Sequence, residues 1–340
     1  MTKTRIAFNG FGRTGRQAFK AIYEYHPDLE VVGIGLRDLN QHSVIASLLA
    51  HDSNYGAFNG TVKSDGRSLK VNGANIALAA APTLSRLPWR ELGVDIVIEC
   101  TGVFTKGSEA AGHLEAGAKK VIITSPAKNE DVTIVLGVNE GDYIPDRHHI
   151  ISNSSCTTNC LATTAKVLQD GFGIEAGLMT TVHSYTSTQQ LLDKTDKDAR
   201  RSRAAPTNIV PSTTGAAKEL GRVLPQLAGK FNGLALRVPT PTVSILDFVA
   251  LLLNAAGAPE INDAFRHAAQ NGMKGILTVS DKPLVSMDFK GDRHSAIIDG
   301  LLTQSLGKMI KVSAWYDNEW GYSCRVADLA EFVAKKGLSQ

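Results

Sequence analysis

Ser152-Asn-Ser-Ser-Cys156-Thr-Thr-Asn-Cys160 carries the strongest chemical signal in the chain. Small polar residues lead straight into a helical pattern, so Cys156 falls at a predicted helix N-terminus. The free N–H groups and positive dipole end there favour a thiolate, the form of cysteine that attacks a carbonyl carbon. A buried, inert thiol is the alternative for a single cysteine. Cys160 follows one turn later on the same face and reads as packing, or as a redox partner of Cys156. A nucleophilic thiol also needs a base. Of nine histidines, His183 stands at the end of a predicted strand, in Thr180-Thr-Val-His183-Ser-Tyr-Thr186, where side chains project into clefts. Only a meeting in space with Cys156 separates a base from a hydrogen-bonded structural histidine.

Gly10-Phe-Gly12-Arg-Thr-Gly15 fits the G-x-G-x-x-G spacing of a dinucleotide-binding turn. It follows a short β-type run and opens a helix. Gly10 would make the tight turn, Gly12 would admit a pyrophosphate to the backbone, and Gly15 would let helix and strand pack closely. Asp38 lies just past the second predicted strand, where a carboxylate accepts both ribose hydroxyls of NAD and repels the 2′-phosphate of NADP. Arg37 beside it has the opposite preference.

The elements that hold these residues form two patterns. Strands alternate with helices up to about residue 150: Arg5–Phe8, Glu30–Leu36, Val62–Val71, Ile76–Ala80, Val94–Cys100 and Lys120–Thr124, with helices over Arg13–Tyr25 and Ser108–Gly117. That alternation predicts an α/β, Rossmann-type parallel dinucleotide-binding domain. Beyond it, Thr157–Leu168 is helical and 191–211 reads as a long Arg-rich loop. Strands are expected at Leu178–Ser184, Leu234–Arg237, Val243–Leu253, Leu284–Phe289, Ser295–Asp299 and Met309–Tyr316, and a last helix at Val326–Lys335. This half is expected to be an α+β catalytic domain with a mostly antiparallel sheet.

Composition agrees with such a protein. The 340 residues exceed a single domain of roughly 150, and 43% hydrophobic with 20% charged residues is ordinary for a globular chain. A net charge of +3 is too small to suggest nucleic-acid binding and suits anionic small molecules. Four cysteines, Cys100, Cys156, Cys160 and Cys324, make neither a disulfide framework nor a metal site. No apolar run approaches the roughly 20 residues that cross a bilayer, and the N-terminus lacks a signal-peptide core. The expected setting is cytoplasmic, with no membrane or nucleic-acid partner.

At these residues the sequence resembles phosphorylating glyceraldehyde-3-phosphate dehydrogenase. The likeness runs along essentially the whole chain: NGFGRTGR near the start, HDSNYG at 51–56, ECTGVF at 99–104, AGAKKVIITSPAK at 116–128, SCTTNC at 155–160, HSYT at 183–186, NIVPSTTGAAK at 208–218, LRVPTPTVS at 236–244 and WYDNEWGYS at 315–323. The resemblance implies Cys156 as nucleophile and His183 as its activating base. It implies Ser155, Thr157, Thr214 and Gly215 for inorganic phosphate, and Thr186 and Arg237 for the substrate's C3 phosphate. Gly10, Gly12, Arg13, Thr14, Asp38, Thr101, Ser125 and Asn318 would contact the cofactor, with Asn318 holding the nicotinamide carboxamide. Read without the family, Thr214-Gly215 is a turn, Arg237 a strand-surface ion pair, and Ser155 and Thr157 helix caps. The implied reaction oxidises D-glyceraldehyde 3-phosphate to 1,3-bisphosphoglycerate with reduction of NAD, through a thiohemiacetal and a thioester. It belongs to glycolysis or gluconeogenesis, and needs no metal. The implied domains are residues 1–154 and 155–318, with the C-terminal helix 319–340 packing back on the first. The implied assembly is a homotetramer.

Some positions depart from the family pattern. Arg37-Asp38 replaces the usual Asn-Asp. The loop LLDKTDKDARRSRAAP lacks the Gly-Pro of strictly NAD-dependent members and resembles the Arg-rich loop of NADPH-using ones. Ala79-Ala-Ala-Pro82 replaces a charged segment beside the adenine, and Thr14 and Ser154 stand where Ile and Ala are usual. Asp38 favours NAD, with NADP as the alternative in a biosynthetic enzyme. A second alternative is erythrose-4-phosphate dehydrogenase, which hydrolyses its thioester; the intact Ser212-Thr-Thr-Gly215 argues against it.

Overall fold

A computed structural model describes residues 3–338; the outermost residues of the expected ranges, 1–2 and 339–340, lie outside them. The chain divides into two compact units. One runs to Ile134 and adds Gly141–Ser154 and the segment from Ser323 onward. The other comprises Val135–Glu140 and Ser155–Tyr322.

The first unit is built on a nine-stranded sheet. Its order is Val132–Thr133, Ile150–Ser152, Lys120–Ile123, Ile96–Glu99, Thr4–Asn9, Leu29–Gly35, Ala74–Ala79, Ser68–Val71, Val62–Ser64. The first seven are parallel, and the last two turn back as antiparallel edge strands. The central strands read as near-continuous apolar runs because helices or loops cover both faces; Ile6, Ala7, Phe8, Val97 and Ile98 are fully buried. Thr4–Asn9 lies between Leu29–Gly35 and Ile96–Glu99, so strand order reverses at its carboxyl end. That reversal opens a crevice where ligands of doubly wound sheets bind. The helix Trp320–Lys336 contributes His26–Asp328 (2.9 Å) and a Tyr143–Phe332 ring contact to the same unit.

The second unit holds an eight-stranded, mostly antiparallel sheet. Its order is Val210–Thr213, Phe231–Val238, Ile174–Ser184, Ser244–Leu252, Met309–Tyr316, Ala296–Asp299, Leu277–Ser280, with Gln304–Leu306 beside Met309–Tyr316. One face covers the helix Cys156–Phe172, whose Cys160, Leu161, Ala165 and Leu168 enter a single apolar core with Leu246, Phe248 and Val312. Together the two sheets give the expected α/β architecture.

Several expected elements differ. Val62–Val71 is a hairpin, because Asp65 Oδ1 accepts the N–H groups of Arg67 and Ser68 and Gly66 adopts φ +91°. Ser108–Gly117 is two short turns, Gly107–Ala110 and Gly112–Glu115. Leu284–Phe289 is no strand: Ser286–Phe289 coils into a 3-10 turn as Asp288 accepts the N–H of Val285 at 2.9 Å. Its apolar spacing serves instead to drop Phe289 onto Val243 and Trp315. The loop after Leu191 ends sooner than expected, at the strand Val210–Thr213.

Candidate active site

In the first unit, Gly10 takes φ +86°, and a Cβ there would meet Thr101 at 2.9 Å. A Cβ on Gly15 would meet Cys100 Sγ and Gly10 O at 2.9 Å each. These two glycines are required by packing. Gly12 is different: a Cβ there would enter open space, with nothing within 4 Å. No side chain caps the helix Arg13–Tyr25 that follows, the arrangement that suits a pyrophosphate.

A cavity of about 670 Å³ opens at this turn, lined by Gly10, Gly12, Arg37, Thr101 and apolar side chains such as Val44 and Leu84. The residues therefore fit a dinucleotide. Arg13, Thr14, Asp38 and Ser125 are not on its wall. Arg13 Nη1 donates to Asp52 Oδ2 at 2.6 Å and the guanidinium lies over the Tyr55 ring. Asp38 Oδ1 accepts from Asn40 N at 2.9 Å. Ser125 O accepts the Ser152 hydroxyl at 2.8 Å.

Sequence reasoning missed the polar network behind this wall. Glu99 is 1% exposed, and its two oxygens accept from Asn9 Nδ2, His113 Nε2, and the N–H and hydroxyl of Thr101. Trp89 Nε1 donates to His113 Nδ1 at 2.9 Å. An indole only donates, so His113 carries its proton on Nε2, toward Glu99. The network fixes Asn9 and Thr101, both of which line the cavity.

In the second unit, Ser155 caps the helix that begins at Cys156, its hydroxyl accepting from Thr158 N at 3.1 Å. Such a cap is worth about 1 kcal/mol. Ser154, just before it, is held at φ +51°. His183 sits at the end of the strand Ile174–Ser184, with Nε2 3.5 Å from Cys156 Sγ. The two residues proposed from sequence as nucleophile and base thus meet. Arg237 is the parallel-strand partner of His183, and its Nη1 lies 2.5 Å from His183 Nδ1 and 3.2 Å from Ser184 O. His183 Nδ1 is also 2.7 Å from Ser184 O.

Burial changes the electrostatics expected from the helix terminus alone. It pushes the Cys156 thiol up, outweighing the pull of Arg237 and of Thr157 toward the thiolate. Burial, with Arg237 adding to it, pushes His183 down to about 3. Without a ligand the pair therefore rests as thiol and neutral imidazole. Cys160 is fully buried with Sγ near Ala314 O, and its thiol is pushed well up by burial. That is a packing environment.

The remaining candidates surround this pair unevenly. Thr157 Oγ1 meets the Tyr316 hydroxyl at 2.9 Å, and Tyr316 also meets Thr181 at 2.6 Å and sets its ring edge-to-face with His183. Thr186 Oγ1 pairs with Thr188 at 2.9 Å. Thr214 Oγ1 accepts from Ala216 N at 3.3 Å, and Gly215 precedes the helix Ala216–Val223 with open space around it. Arg201, in the segment expected as a long Arg-rich loop, reaches Thr213 Oγ1 at 3.4 Å and adds to the positive field on Arg237. Asn318 Oδ1 accepts from Ser184 and Ser244.

A switch-point cavity with an uncapped helix behind a glycine turn is the binding arrangement of NAD-dependent oxidoreductases, and comparison with known proteins narrows that class. Residues 4–107 match the family model for the glyceraldehyde 3-phosphate dehydrogenase NAD binding domain, and residues 155–318 match that for its C-terminal domain. The chain is 54% identical over 335 residues to glyceraldehyde-3-phosphate dehydrogenase of Geobacillus stearothermophilus, covering 98% of this chain and 99% of that one. It is 53% identical, with the same coverage, to glyceraldehyde-3-phosphate dehydrogenase 1 of Bacillus subtilis (strain 168). It is 50% identical over 329 residues to glyceraldehyde-3-phosphate dehydrogenase 2 of Streptomyces arenae, with 97% and 98% covered. The chain belongs to the glyceraldehyde 3-phosphate dehydrogenase family.

Proposed function

We propose that the protein oxidises D-glyceraldehyde 3-phosphate and inorganic phosphate to 1,3-bisphosphoglycerate with NAD, Cys156 being the nucleophile and His183 its base. The observation that carries this reading is the 3.5 Å approach of His183 Nε2 to Cys156 Sγ at a capped helix N-terminus.

Arg237 controls when the pair reacts. A guanidinium only donates, so its contact with Nδ1 keeps the imidazole proton on Nε2, where the ring cannot take another from sulfur. The substrate's C3 phosphate draws Arg237 to itself, in company with Thr186. With Arg237 withdrawn, the ring changes tautomer: Nε2 gives its proton to solvent and Nδ1 takes one up, Nδ1 donates to Ser184 O, and the freed Nε2 accepts the Cys156 proton. The thiolate adds to the aldehyde carbon, and the backbone N–H of Cys156 with the imidazolium stabilises the oxyanion. When bound, NAD supplies the hydride acceptor that converts the thiohemiacetal to a thioester. Inorganic phosphate, held by Ser155, Thr157, Thr214 and Gly215 with Arg201, attacks the thioester carbon. The acyl phosphate leaves, and Cys156 is restored.

NAD is the preferred cofactor, held by Gly10, Gly12, Arg13, Thr14, Asp38, Thr101 and Ser125, and by Asn318 at the carboxamide. Asp38 repels a 2′-phosphate, and Arg37 on the cavity wall offsets part of that repulsion. In this reading residues 1–154, with the C-terminal helix, bind the dinucleotide, and 155–318 carry the chemistry. The enzyme works as a homotetramer in the cytoplasm. The outer face of the second sheet supports self-association, since Leu178, Leu234, Leu251 and Met309 are exposed on it. The four free cysteines suit a reducing compartment. Among the described residues no helix is long and apolar enough to cross a membrane.

The test is initial-rate reduction of NAD and of NADP with glyceraldehyde 3-phosphate, each with and without inorganic phosphate. Phosphate-dependent turnover favouring NAD supports the proposal. Phosphate-independent turnover with erythrose 4-phosphate replaces it with the hydrolytic alternative.

A further inference from the structure

Ser184 is fully buried, and each of its polar groups is engaged. Its carbonyl lies 2.7 Å from His183 Nδ1. Its N–H donates to Ser244 Oγ at 3.1 Å, and its hydroxyl donates to Asn318 Oδ1 at 2.9 Å. Ser244, 1% exposed, donates to the same Asn318 oxygen at 2.9 Å. Asp317 holds the backbone there, accepting from Thr242 Oγ1, Glu319 N and Trp320 N at 3.0 Å each.

These bonds determine which way the Asn318 amide points. Ser244 Oγ already accepts an N–H, so its own proton goes to Asn318. Turning the amide over would set its NH2 against two hydroxyls, and neither hydroxyl hydrogen-bonds a second acceptor among the described residues. Burying those unmatched protons is costly. Oδ1 is therefore the held atom, and Nδ2 is presented outward as a donor; it makes no hydrogen bond among the described residues.

We infer that Ser184 and Ser244 are positioning residues for the cofactor. They fix the Asn318 amide so that Nδ2 donates to the carbonyl oxygen of a carboxamide. Ser184 also ties that orientation to the base through its carbonyl. The inference rests on the proposal that Asn318 holds the nicotinamide carboxamide.

The test is calorimetric titration of the full chain with NAD and with ADP-ribose, which lacks the nicotinamide. Ser184→Ala and Ser244→Ala are each expected to weaken NAD about 10-fold and to leave ADP-ribose binding unchanged. Either variant alone suffices if the other does not fold. Equal losses for both ligands, or no loss for NAD, would overturn the inference. Asn318→Ala separates the two levels. If it weakens NAD selectively while the serine variants do not, the serine role fails and the Asn318 role stands. If it weakens neither ligand, the Asn318 role itself fails.

Discussion

Arg237 Nη1 lies 2.5 Å from the Nδ1 atom of His183, across two strands that pair those residues directly. The contact puts a substrate-phosphate candidate and a catalytic-base candidate into one hydrogen-bonded unit. In the proposed mechanism this contact is how the phosphorylated end of the substrate would be sensed at the base before the aldehyde reacts.

Replacing Arg237 should therefore affect substrates according to their phosphate. A lost charge-assisted contact of this kind is worth about 3–4 kcal/mol. Arg237→Leu is expected to lower kcat/KM for glyceraldehyde 3-phosphate by about 10²- to 10³-fold, and for unphosphorylated glyceraldehyde by less than about 10-fold. Steady-state kinetics with both aldehydes checks this, and equal losses would contradict it. Arg237→Lys should recover only part, because an ammonium lacks the planar fork.

His183→Asn removes the proton acceptor while keeping a polar group near Ser184 O. The expected loss is about 10²- to 10⁴-fold in kcat, the usual contribution of a general base. NAD binding should be unchanged, as measured by calorimetry.

His183 also makes stability depend on pH. Its ordinary value of 6.5 falls to about 3 in the fold, mainly through burial and then through Arg237. As pH drops, the unfolded chain takes up the proton first. The stability present above pH 6.5 is lost progressively between 6.5 and 3, with a slope approaching about 1.4 kcal/mol per pH unit. Urea midpoints across that range should fall less steeply in His183→Asn than in the unsubstituted chain. Parallel curves would refute the buried neutral state.

Two of the turn glycines should separate folding from binding. Gly12→Ala is expected to fold normally, since its Cβ enters open space, but to weaken NAD at least 10-fold by blocking the pyrophosphate. Gly10→Ala combines φ +86° with a 2.9 Å approach to Thr101 and should lower the melting temperature by several degrees. Thermal melts and NAD titrations on the two variants check the split.

The glycine turn and the cysteine-led helix were legible in the sequence because backbone requirements and helix caps are written in local residue types. The His183–Cys156 meeting was a conjecture there, since 27 residues separate the two and only the strand Ile174–Ser184 returns one to the other. The upward push on the thiol was not legible. Helix-terminus chemistry is local, whereas burial by the second sheet is not. Glu99, Arg201, Tyr316 and Ser184 escaped for the same reason: each gains its role from partners on other elements. Leu284–Phe289 misled because its apolar spacing satisfies a strand template as well as the turn that delivers Phe289 to the core.

In the proposed reaction Cys156 carries the substrate as a thioester until phosphate removes it. The most direct measurement is peptide mass spectrometry after acid quench of enzyme mixed with NAD and glyceraldehyde 3-phosphate, without and then with inorganic phosphate. A phosphoglyceroyl adduct is expected on the Cys156 peptide without phosphate, with its discharge as acyl phosphate when phosphate is added. NAD reduction with no adduct on Cys156, or an adduct that phosphate leaves in place, would contradict it.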